Sequence, residues 1–158
     1  MRIKNAIRLT LSVMLPVAVG AVAGLFTATS VKSWFVTLNK PSFNPPAWVF
    51  APVWTTLYIL MGIAFFLIWQ SNADELLKRR AMRIYFLQLF FNFTWSFVFF
   101  YAKQPGWALV NIVVLLLLIV ATIFLFSRLS KSAAWLLFPY ILWVSFATAL
   151  NFFIWQLN

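Results

Sequence analysis

A chain of 158 residues that is 65% hydrophobic and 9% charged lies far from soluble domains, which run about 45–50% apolar and about 25% charged, and it is the size of one domain. It contains no cysteine and no histidine, which excludes a disulfide framework, thiolate chemistry and the commonest zinc and haem ligands. The net charge of +10 reads as a membrane-orientation signal and not as nucleic-acid binding, because the basic residues cap apolar runs instead of forming a patch.

In chain order, Arg2, Lys4 and Arg8 precede an apolar run that predicts a first helix over about 7–28. The arrangement resembles a signal peptide, with Ala21-Val22-Ala23 as a cleavage site. The run reaches the roughly 18 residues a spanning helix needs, and further spans follow, so a retained helix is expected. Its Gly20-x-x-x-Gly24 permits close approach of another helix, within the bundle or across a dimer. Next comes a stretch with four of the seven prolines, Pro41, Pro45, Pro46 and Pro52, read as a rigid connector (loop 1) leading into a helix. Asn44 is expected to cap that helix, with Pro45 or Pro46 in its first position. The second helix is placed over about 46–70, and Pro52 is expected to kink its opening turns.

Ser71–Arg83 reads as loop 2, with Asp74 and Glu75 followed by Lys78, Arg79, Arg80 and Arg83. The remaining helices are placed over about 84–101, 107–126 and 134–155, with a short turn at Lys103–Gly106. The expected fold is all-α: a single domain over 1–158, a polytopic five-transmembrane-helix bundle in a lipid bilayer. Nine Lys and Arg fall on the N-terminal side and three (Lys32, Lys40, Lys103) on the other. This count predicts a cytoplasmic N-terminus, with loop 1 and the C-terminus outside, as in a bacterial cell membrane.

Three helix faces combine aromatic with uncharged polar residues. Gln88, Asn92, Trp95 and Phe99 share a face of the third helix; Tyr140, Trp143, Ala147 and Asn151 one of the fifth; and Trp54, Tyr58, Met61 and Phe65 one of the second. Each stripe alone is compatible with ordinary packing and interhelical hydrogen bonds. Their convergence also suits an apolar ligand pocket with few polar groups.

These residues resemble the TspO/translocator protein family, also described as tryptophan-rich sensory or peripheral benzodiazepine receptor-like proteins. The matching blocks are Trp34-Phe35-x-x-Leu38-x-Lys40-Pro41-x-Phe43-x-Pro45-Pro46, then Val53-Trp54, Leu57-Tyr58 and Met61-Gly62. They continue with Gln88-Leu89-x-x-Asn92-x-x-Trp95-Ser96, Phe99-Phe100 and Gly106-Trp107-Ala108-Leu109, and end with Pro139-Tyr140-x-x-Trp143-x-x-Phe146-Ala147-Thr148-x-Leu150-Asn151. The resemblance implies a five-helix bundle, often a homodimer, with a cavity closed by loop 1 that binds porphyrins and benzodiazepine-like ligands. By position it implies ligand contacts from Trp48, Trp54, Asn92, Trp95, Trp107, Trp143, Ala147 and Leu150, and Lys40 is read as the propionate contact. The sterol motif of animal members, a tyrosine followed by an arginine, is here Phe152 and Gln156, so a sterol site is not expected there.

Two functional classes follow. One is a membrane protein that binds porphyrins and other flat apolar molecules in tetrapyrrole sensing, transport or regulation. The other is an enzyme-like, light-dependent breakdown of porphyrin, with Trp54 and Trp143 as the photo-oxidised residues. The chain lacks His, Cys and any intramembrane carboxylate, so acid–base and thiol catalysis have no residues to use. No cofactor and no metal are expected, and porphyrin is ligand or substrate.

Overall fold

The computed structural model describes residues 2–158. Helix α1 spans Arg2–Val31, α2 Ala47–Trp69, α3 Glu75–Ser96, α4 Pro105–Leu129, α5 Lys131–Leu136 and α6 Phe138–Leu157. A 3-10 turn, Phe35–Thr37, lies within loop 1, and a π-helical turn, Phe97–Tyr101, prolongs α3. Among the described residues, five stretches are long and apolar enough to cross a membrane: Ile3–Val31, Ala47–Trp69, Glu75–Tyr101, Pro105–Leu129 and Lys131–Leu157. The fold is therefore the expected all-α, five-span bundle.

Several boundaries differ from the expectation, each for a local reason. Loop 2 is much shorter than Ser71–Arg83, because Asp74 caps α3 by accepting the Leu77 N–H at 2.7 Å. The carboxylates of Asp74 and Glu75 favour a helix N-terminus, so Lys78–Arg83 form opening helical turns: charge ends an apolar run without ending a helix. Asn44 does not cap α2. Pro46 holds that position without a side-chain bond, and the Asn44 amide instead donates to the Pro45 carbonyl at 3.1 Å. The last span is broken at Leu137. Pro139, in the first turn of α6, has no N–H to continue the helix from α5, and Ser130 caps α5 by accepting the Ala133 N–H at 3.3 Å.

Around the bundle α1 packs on α2, α2 on α5, α5 and α6 on α4, α4 on α3, and α3 with its π turn back on α1. Glycine sets the tightest contact. At Gly62 an added Cβ would lie 2.5 Å from Val13 Cα and 2.7 Å from the Ser12 carbonyl, so α1 and α2 cross there backbone against backbone. Of the Gly20-x-x-x-Gly24 pair, only Gly20 is used for packing within the chain. Gly20 makes room for the Tyr58 ring, whereas Gly24 faces open space. The core lies on the inner faces of α2, α3 and α6, where Gln88, Asn92, Trp95, Tyr140, Asn151, Tyr58, Met61 and Phe65 are all buried.

Candidate functional site

Loop 1 forms a roof over one end of the bundle. Phe35 is buried against Phe99 and Phe100, and Trp34 packs edge-on to Phe99. The Lys40 ammonium donates to the carbonyls of Phe35 and Leu38, each at 2.8 Å, and lies 5.0 Å from the centre of the Phe35 ring. It thereby ties the 3-10 turn to the residues that follow it. Phe43 meets Phe146 and Phe153 of α6 edge to face. Asn39 and Asn158 exchange two backbone–side-chain bonds, both 2.9 Å, which fasten the loop to the end of α6.

Beneath this roof lies a cavity of about 660 Å³. Small residues of α1 (Gly20, Ala23, Gly24 and Ala28) make one wall. Trp48, Phe50, Trp54 and Tyr58 of α2 make another, and Trp95, Ser96 and Phe100 close the back. That volume lies inside the range of about 300–1,000 Å³ usual for ligand pockets. Trp54 stacks on Tyr58 with centroids 5.7 Å apart and sits 6.3 Å from Trp95. Trp95 in turn stacks on Phe99 at 5.5 Å. On the far side of the wall made by Phe35, Phe50, Trp54, Trp95 and Phe100 is a second void of only about 20 Å³, which Trp143, Ala147, Leu150 and Asn151 also line.

A buried hydrogen-bond chain supports the floor. The Tyr58 hydroxyl donates to Asn92 Oδ1 at 2.5 Å, and Asn92 Nδ2 donates to the Tyr140 hydroxyl at 2.9 Å. Tyr140 donates onward to Gln88 Oε1 at 2.8 Å. Four side chains from α2, α3 and α6 are thus fixed relative to one another. The Trp95 indole donates to Asn151 Oδ1 at 3.0 Å, and Asn151 Nδ2 donates to the Pro105 carbonyl at 2.8 Å, so Trp95 is held by two further elements.

The sequence pattern of the TspO/MBR family matches residues 12–156. The chain belongs to the TspO/MBR family. It is 40% identical to the tryptophan-rich protein TspO of Archaeoglobus fulgidus over 98% of this chain and 99% of that one. It is also 40% identical to the translocator protein of Homo sapiens, over 79% of this chain and 75% of that one. The tryptophan-rich sensory protein of Cereibacter sphaeroides is 38% identical, over 89% and 87% respectively. With five spans and this family match, the protein is an integral, multi-pass membrane protein.

In this TspO/MBR chain the residues read from the sequence fall into three groups. Trp48, Trp54 and Trp95 line the large cavity. Trp143, Ala147 and Leu150 line the small void, and Trp54 and Trp95 stand between the two. The third group lines neither space. Asn92 sits in the hydrogen-bond chain below them. Trp107, 71% exposed, stands in the first turn of α4. Lys40 gives its protons to carbonyls of its own loop. The contribution of α1 to the cavity wall is not legible in the sequence. Its Gly20 and Gly24 were visible in the sequence, but small residues signal close packing and open space alike, and only the position of α2 decides between them.

Proposed function

We propose that this TspO/MBR protein binds porphyrins and similar flat, apolar molecules in the cavity walled by Trp48, Trp54 and Trp95, and serves in sensing or moving tetrapyrroles. The observation that carries this reading is the cavity itself, about 660 Å³ with three indoles and two further aromatic side chains of α2 against a wall of small residues. Flat ring systems bind such surfaces by stacking, with little conformational entropy to lose. Free-base porphyrin suits the chain better than haem, since with no His and no Cys an axial ligand would have to be Tyr or Met. Relatives named as translocator and sensory proteins fit a role in handling a small molecule. The test is a titration of the purified protein with free-base porphyrin in the dark, read by tryptophan quenching. Saturation at one porphyrin per chain is expected, and Trp54→Ala should weaken binding by about 1–3 kcal/mol, the range of a large aromatic anchor. Unchanged affinity in a folded Trp54→Ala protein would refute the site.

Light-dependent porphyrin breakdown is a second reading. It is favoured by the stacking of Trp54, an oxidisable indole, on the hydrogen-bonded phenol of Tyr58. Trp54→Phe should then retain binding but slow bleaching under light. Equal bleaching in both proteins would remove this reading and leave the binder.

A further inference from the structure

The cavity lies under a fastened roof and is open along one side. Its roof is fastened by Lys40 on two carbonyls, by the Asn39–Asn158 pair and by Phe43 against α6. Its back, made by Tyr58, Trp95, Ser96 and Phe100, is buried. The residues along the α1–α2 seam are by contrast exposed: Ala21, Gly24 and Ala28 on one side, Ala51 and Thr55 on the other. All five lie inside membrane-crossing segments, so this side of the cavity faces lipid. From Ala21 to Lys32 the seam runs about 16 Å along α1 at ~1.5 Å per residue, roughly half the ~30 Å hydrocarbon thickness. At its loop 1 end stands Lys32, the one charged residue lining the cavity among the described residues. Its ammonium has no hydrogen-bond or ion-pair partner among the described residues.

From this geometry we infer that the ligand enters sideways from the bilayer between α1 and α2, and that Lys32, not Lys40, receives the carboxylate of a flat apolar molecule that has one. This rests on the porphyrin-binding reading above and adds to it an entry route and a charge anchor. The charge pattern fits the occupant: an amphiphile in a membrane keeps its rings in the hydrocarbon and its carboxylate at the interface, where a lysine at the end of a spanning helix also places its ammonium. The ring would slide between Gly24 and Trp54 while the carboxylate stays at the level of Lys32. Small residues on α1 leave the space that a ring fills, and an added Cβ at Gly24 meets nothing within 4 Å.

The test compares a free-base porphyrin dicarboxylate with its dimethyl ester, in the dark, against protein in zwitterionic lipid nanodiscs. The parent should bind both. Lys32→Gln should weaken the dicarboxylate roughly five- to tenfold, less at high salt, and leave the ester unchanged; Lys32→Arg should restore the dicarboxylate. Gly24→Leu, which plugs the seam without touching the α1–α2 crossing, should slow the association of both forms at least about tenfold while the melting temperature stays near the parent's. Equal loss, or no loss, of acid and ester in Lys32→Gln would overturn the anchor. Parent-like association rates of both forms in Gly24→Leu would overturn the side entry. Either result leaves porphyrin binding itself standing. A parent that binds neither form would instead overturn the functional reading, and this inference with it.

Discussion

Asn92 accepts from Tyr58 and donates to Tyr140, which makes it the junction between α2, α3 and α6 beneath the cavity. Replacing it by alanine removes two interhelical bonds and leaves two buried hydroxyls without that partner. Such bonds average about 0.6 kcal/mol in membranes and reach about 1.7, so Asn92→Ala should lower stability by about 1–3 kcal/mol in a reversible unfolding assay. Porphyrin affinity should fall less than in Trp54→Ala, because Asn92 acts through the position of Tyr58 and not by contact; a larger loss than in Trp54→Ala would count against the cavity described here. The residues of this junction were legible in the sequence: Gln88, Asn92 and Trp95 follow a helical period, as do Tyr140 and Asn151. Lys40 was not. A lysine between two apolar spans looks like a free cation, and nothing in its spacing reveals that Phe35 and Leu38 turn their carbonyls towards it.

At the scale of elements, the α1–α2 pair sets the width of the cavity. The two helices touch backbone to backbone at Gly62 and diverge to the open space at Gly24 towards loop 1. Gly62→Ala should force the pair apart and cost about 1–3 kcal/mol, as overpacking does, whereas Gly24→Ala should be nearly neutral, within about 0.5 kcal/mol. Thermal unfolding of the two variants in the same detergent checks this, and equal effects would show that the crossing lies elsewhere. The existence and type of all five spans could be read from hydropathy, while their ends could not. Asp74 and Ser130 are cap-forming residue types, but the charges beside them mark the edge of an apolar run and so mask where the helix ends. The break at Leu137 was signalled by Pro139, but a proline inside an apolar run marks a kink, a break or a new start equally well.

For the whole molecule, nine basic residues against three predict a cytoplasmic N-terminus with loop 1 outside. A C-terminal reporter active only in the cytoplasm should therefore stay dark, and strong signal would invert the molecule and put the cavity roof on the cytoplasmic side. The nine tryptophans are spread over the bundle, and only three of them, Trp48, Trp54 and Trp95, line the large cavity. That distribution permits a direct test of where the ligand sits. The porphyrin complex is illuminated briefly and oxidised tryptophans are mapped by mass spectrometry, with a dark sample and a ligand-free sample as references. Oxidation is expected first at Trp54 and Trp95, which are largely hidden from bulk lipid, while Trp107 and Trp135, 71% and 69% exposed, remain intact; Trp48, 75% exposed, reports on neither place alone. Faster oxidation of Trp107 and Trp135, with Trp54 and Trp95 spared, would place the porphyrin on the outer surface and contradict the cavity as its site.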